Sequence, residues 1–142
     1  MNTIAVVPAI RGEVSYFDIV VDGKPLAQHF VGAQGGHPSE LSPLGWSSAS
    51  ALHRAETVAQ LLGQKPSPLE SGRVPVLVCE ECGDLACGAL AVRIVLGPDR
   101  VIWSDWQYEN GYEAGHPLEW PAQPGELVFE TRSYEVAIRG CV

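Results

Sequence analysis

The sequence predicts an α+β fold, a mainly antiparallel sheet with one main helix packed on one face. Three observations lead there. Runs of β-branched and aromatic residues recur along the chain between Gly/Pro-rich turns. One stretch only, residues 49–62, has convincing helical spacing. The chain has 142 residues, 46% hydrophobic and 18% charged, which fits a single domain spanning 1–142 with its own core.

The first strands are expected at Ile4–Val7, ended by Pro8, and at Val14–Val21. Asp22-Gly23 then signals a two-residue hairpin, because both turn positions need positive φ. A return strand is expected over Leu26–Val31. Residues 32–48 hold Gly32, Gly35, Gly36, Pro38, Pro43 and Gly45 and read as a long loop. In the helix, Leu52, Ala55, Ala59 and Leu62 share a face; Ser48 or Ser50 caps the start and Gly63 suits the end. Lys65–Arg73, with Pro66, Pro68 and Gly72, reads as a linker. Residues 74–108 then form a three-strand meander: 74–78, 89–96 with Leu90, Val92, Ile94 and Leu96 facing the core and Arg93 outward, and 101–108. A second loop covers 110–125, a last strand Glu126–Glu130, and a short terminal helix Arg132–Arg139.

Charge narrows the function classes. Seventeen acids against nine bases give a net charge of −8, and the bases are scattered. A nucleic-acid binder needs a basic face to neutralise phosphates, so direct nucleic-acid binding is not expected. A basic protein partner suits the charge. No apolar run reaches the 18 or so residues of a membrane span, and Met1-Asn2-Thr3-Ile4 does not begin a signal peptide. The expected compartment is the cytoplasm, with no membrane partner.

Four cysteines in a reducing compartment favour free thiols or a metal over disulfides. Three fall in Cys79-Glu80-Glu81-Cys82-Gly83-Asp84-Leu85-Ala86-Cys87-Gly88, between two expected strands. Cys-x-x-Cys-Gly is the spacing of a zinc knuckle, in which two thiolates converge on one ion and Gly closes the turn. Cys79, Cys82 and Cys87 are thus candidate zinc ligands, with the fourth from Asp84, Cys141, His29, His37 or His116. The same spacing serves redox thiols, yet Glu80, Glu81 and Asp84 disfavour thiolate unless a metal's charge outweighs them. Packed structural thiols are the third reading.

The second feature is residues 101–113, with four aromatics and three acids in thirteen positions. Trp103, Asp105, Trp106, Tyr108, Glu109, Tyr112 and Glu113 are the candidate partner-binding residues. Aromatic anchors with flanking acids suit a basic interface. On a regular strand Trp103 and Trp106 point to opposite faces, which leaves one of them exposed. Neither a Gly-x-Ser-x-Gly elbow, a phosphate loop nor a His-Glu-x-x-His helix occurs.

Ser42-Pro43-Leu44-Gly45-Trp46, the cysteine block 79–88, and Val101-x-Trp103-Ser104-Asp105 with Glu109-Asn110-x-Tyr112 together resemble a group of small uncharacterised bacterial proteins. The three blocks span 42–112, about half the chain. Glu80 stands where the group commonly has Pro. Some members bear an oxidoreductase label, but no nucleotide-binding glycine motif accompanies it here. The expected function is a small acidic binding protein, an immunity- or antitoxin-type inhibitor of a basic partner, whose cysteine hairpin is structural or zinc-binding. The alternative is a thiol- or metal-dependent, oxidoreductase-like enzyme centred on the cysteines.

Overall fold

The computed structural model describes residues 1–30, 42–44, 51–78, 89–109, 116–117 and 124–140. Their order is β1 (Ile4–Arg11), β2 (Val14–Val21), β3 (Lys24–Pro25), a 3-10 turn (Leu26–His29), α1 (Ala51–Leu61), β4 (Val74–Val78), β5 (Ala89–Leu96), β6 (Arg100–Glu109), β7 (His116–Pro117), β8 (Leu127–Glu130) and α2 (Thr131–Arg139). The strands form two antiparallel sheets, one ordered β1-β2-β3 and one ordered β4-β5-β6-β7 with β8 also paired to β6. The α+β class stands; the single sheet with one main helix is replaced by two sheets and two short helices.

The small sheet follows from its turns. Gly12 (φ +59°) closes β1 on β2, so that Arg11 lies opposite Val14. Asp22 (φ +52°) and Gly23 (φ +79°) make the expected turn into β3. β1 runs through Pro8 to Arg11, further than expected, because an edge strand tolerates Pro when its nitrogen faces away from the ladder. The return strand stops at Pro25. Leu26–His29 winds into a 3-10 turn that buries Leu26, and the chain turns extended again at Phe30, which is also buried.

Asn2 stitches the two sheets. Its N–H donates to the Val128 carbonyl at 2.7 Å, and its side-chain oxygen accepts from the Val128 N–H at 2.8 Å. Its amide nitrogen donates to Asp22 Oδ2 at 2.7 Å, while Thr3 N–H donates to Asp22 Oδ1 at 2.8 Å. These bonds, the backbone one first, hold the Asp22 carboxyl below its ordinary pKa.

The core lies against one face of the large sheet. Trp103, fully buried, meets Trp106, Phe129 and Tyr134 edge-on with centroids 6.0, 5.4 and 6.1 Å away; Phe129 stacks on Tyr134 and Phe30 meets Trp106 edge-on. Edge-to-face pairs of this kind add about 0.5–1.5 kcal/mol each beyond their buried area. The Tyr134 hydroxyl donates to the Leu61 carbonyl at 2.6 Å, tying α2 to the end of α1. Gly63 (φ +71°) ends α1 as expected. In β5, Leu90 and Val92 face the core and Ile94 packs at its border, but Leu96 is 42% exposed. The Leu96 side chain lies against Gly63, just past the end of α1.

Tyr134→Phe deletes one buried hydrogen bond and leaves the Leu61 carbonyl without its donor. The expected loss is about 1–2 kcal/mol, read as a lower urea midpoint with an unchanged slope.

Candidate functional site

The site is generated by one extra residue. Ala91 lies opposite Gln107, yet Arg93 lies opposite Ser104. Val92 therefore faces two residues of β6, Asp105 and Trp106, in a β-bulge. Asp105 supplies the left-handed backbone (φ +57°), which Asp tolerates better than most residues. The bulge resets the alternation. Trp103 and Trp106, three apart, come to the same face, and both are buried. The expected opposition of the two indoles fails for this reason, and neither is a surface anchor. The Trp106 N–H donates to the Gly125 carbonyl at 3.0 Å.

On the other face, alternation gathers Asp105, Gln107 and Glu109. Arg73, immediately before β4, crosses to meet them. Its Nε donates to the Asp105 carbonyl at 3.0 Å, one terminal nitrogen contacts Asp105 Oδ2 at 2.5 Å, and the other contacts Glu109 Oε2 at 3.4 Å. Glu109 is buried, and its Oε2 also accepts from Ser71 Oγ at 2.9 Å. Arg93 adds a contact to Asp105 Oδ2 at 3.5 Å. Asp105 Oδ1 meets the Gln107 amide at 3.5 Å, and the Asp105 side chain is 43% exposed. Its carboxyl is held below the ordinary carboxylate pKa, first by the Arg73 hydrogen bond and then by the charges of Arg73 and Arg93.

Residues 65–73, expected to be a linker, are what position Arg73. Ser67 Oγ donates to the Arg73 carbonyl and accepts from Leu69 N–H, Ser71 Oγ accepts from Arg73 N–H at 3.2 Å, and Gly72 (φ +84°) bends the chain into β4. The sequence signal was a serine-spaced turn ahead of an all-apolar strand. It marks a side chain-bonded turn but not which distant acids its arginine reaches.

Of the expected partner-binding residues, the structure therefore buries Trp103, Trp106 and Glu109 and leaves Asp105 and Tyr108 (37%) at the surface. Tyr112 and Glu113 lie outside the described residues, as do Cys79, Cys82, Asp84, Cys87, Cys141 and His37. His29 donates its Nε2 proton to the Val21 carbonyl at 2.9 Å, so Nδ1 is the nitrogen it has for a metal. His116 lies opposite Tyr108, which lies opposite Leu90; Val78 and Ala89 pair at the neighbouring row. Val78 and Ala89, which flank residues 79–88, thus sit at adjacent strand ends in the row beside His116, three and two strands from it. Among the described residues, three or more His, Cys, Asp or Glu do not gather as a metal site, and no helix is long and apolar enough to cross a membrane.

Chemically the cluster is a closed ion-pair network. Arg73 is matched by two carboxylates, so neither acid is poised as a general base. Arg73→Ala leaves Glu109 buried without its cation and is expected to cost about 3–5 kcal/mol in denaturant unfolding. Asp105 has a folded pKa below its unfolded one. Its contribution is complete above the ordinary carboxylate range and is lost as pH falls below about 4. The wild type is therefore expected to lose more stability between neutral and acid pH than Asp105→Asn, which lacks this titration, when both are unfolded in urea.

Comparison with protein-family models, with curated proteins and with solved structures finds no match to this chain.

Proposed function

We propose that this chain is an acidic binding protein of the immunity or antitoxin type, which meets a basic protein partner beside the end of β6. The observation that carries the reading is Tyr108, the one described aromatic of residues 101–113 left substantially exposed, in a chain of net charge −8. Tyr108 leads into Glu109-Asn110-Gly111-Tyr112-Glu113. Tyrosine supplies contact area at low entropic cost, and acids around it steer a basic partner. The internal pairing of Arg73 with Asp105 and Glu109 supports a binding role over acid–base catalysis.

The test begins with capture of basic proteins from a lysate of the source organism and continues with association kinetics of the captured partner. Glu113→Lys is expected to slow association about tenfold at low salt. Tyr108→Ala is expected to cost more than about 1 kcal/mol, mainly through faster dissociation. Glu13→Lys makes the same change of charge at the exposed tip between β1 and β2 and should act far more weakly. Absence of a retained partner, or equal effects of all three variants, removes the proposal.

A second reading is favoured by the pairing of Val78 with Ala89, which closes the ends of the cysteine segment beside the row of His116. We propose Cys79, Cys82 and Cys87 with His116 as a structural zinc site. One zinc per chain by elemental analysis, lost in Cys82→Ser, is the expected result. Metal-free protein with four slowly reacting thiols under native conditions would leave the cysteines as packing groups.

A further inference from the structure

We infer that the chain associates with a second copy of itself through the face of the large sheet turned away from the core. The register of β5, β6 and β8 aligns Val95, Ile102 and Val128 in one row on that face. Val95 is 53% exposed, and Ile102 and Val128 are half-buried. Beside the row lies an open hollow of about 260 Å³, lined by Val95, Gly97, Pro98, Asp99, Arg100 and Ile102. An antiparallel sheet is free to turn a polar face to water. A row of three aliphatic side chains across that face is the core of an interface, and its ends are charged as an interface rim is.

The rim decides the occupant. Arg93 and Arg100 stand against Asp99, Asp105 and Glu130, so the rim holds one unit of the chain's net −8. This is a poor landing site for a basic partner and a place where two acidic copies repel little. The charges are also self-complementary. A two-fold axis lying along the Val95–Ile102–Val128 row reverses the strand direction of the facing copy. It sets the apolar row on itself, brings Arg100 over the partner copy's Asp105, and brings Arg93 over the Asp99 turn. The two copies then bear the same patch on each other, as a two-fold interface requires, and the sheets pack in the aligned manner of a sandwich. The Asp105 bulge prepares this contact, because it lifts a carboxylate toward the face while one oxygen remains engaged by the two arginines.

The measurement is sedimentation equilibrium of the full chain across a concentration series. The expected result is a mass approaching twice the 15.3 kDa of one chain. Val95→Glu, at an already exposed position, is expected to weaken the dimer at least tenfold with an unchanged circular dichroism spectrum, and Ile102→Glu to weaken it further. Should Ile102→Glu fail to fold, Val95→Glu decides alone. Arg93→Glu and Asp99→Lys are each expected to weaken the dimer, and an equimolar mixture of the two to restore it, because each charge then meets its opposite across the interface. A wild type that stays monomeric up to about 1 mM, or a dimer indifferent to Val95→Glu and to the charge exchange, overturns the inference. The surface is distinct from Tyr108, which lies on the opposite face of β6, so loss of self-association with partner capture intact, or the reverse, tells the two proposals apart.

Discussion

The ion pair between Arg73 and Asp105 sits at the one point where the large sheet changes step. β6 must carry its bulge there, since without it either Trp103 or Trp106 would leave the core. The left-handed backbone at Asp105 is the local cost, and the guanidinium that grips both its carbonyl and its carboxylate offsets it. The same arginine neutralises Glu109, which is otherwise a buried charge. One residue therefore holds the strand's step, the burial of two indoles and the entry into β4.

The other side of the sheet depends on this. Trp103 is ringed by Trp106, Phe129 and Tyr134, and its indole N–H approaches the Tyr134 oxygen without meeting hydrogen-bond geometry. Burial pushes the Tyr134 hydroxyl far above the ordinary phenol range, so it stays a donor, and the carbonyl at the end of α1 takes that proton. The two short helices, neither long enough to stand alone, are joined through this phenol. Thr131 fixes the start of α2 in the same way, its hydroxyl on the Gly97 carbonyl at 2.8 Å and its N–H on the Asp99 carbonyl at 3.1 Å.

Much of this architecture was legible in the residues. The Asp22-Gly23 turn, the meander from Val74 to Tyr108, the helix ending before Gly63 and the terminal helix all rest on local signals, namely turn chemistry, alternation and caps. What was not legible depends on partners distant in the chain. Leu26–His29 winds into a 3-10 turn that buries Leu26 ahead of the buried Phe30, and no local signal in these four residues marks it off from a strand. The bulge was hidden because a three-residue spacing between two tryptophans reads as opposition on any regular strand. Arg73 was hidden inside a serine- and proline-rich stretch whose order comes from side chain-to-backbone bonds. The candidate site suffered most: the aromatic segment was found, but its tryptophans serve the interior, and the arginine that organises its acids lies about thirty residues upstream.

Pro8 has an effect on how copies of this chain can meet. Asp22 N–H bonds to the Thr3 carbonyl and Phe17 N–H bonds to the Leu44 carbonyl, on the side of β2 away from β1. By alternation, Thr3, Ala5, Val7 and Ala9 spend their backbone groups on β2, while Ile4, Val6, Pro8 and Ile10 turn theirs to the open edge. Near its start that edge is occupied, with Asn2 bonded to Val128 and α2 flanking Ile4 and Val6 across a groove. Midway along, where an incoming strand would need its next donor, Pro8 has none. A stretch as apolar as Ile4–Ile10 would otherwise template strand after strand into a fibre. With the ladder interrupted there, growth by edge addition has no repeating step.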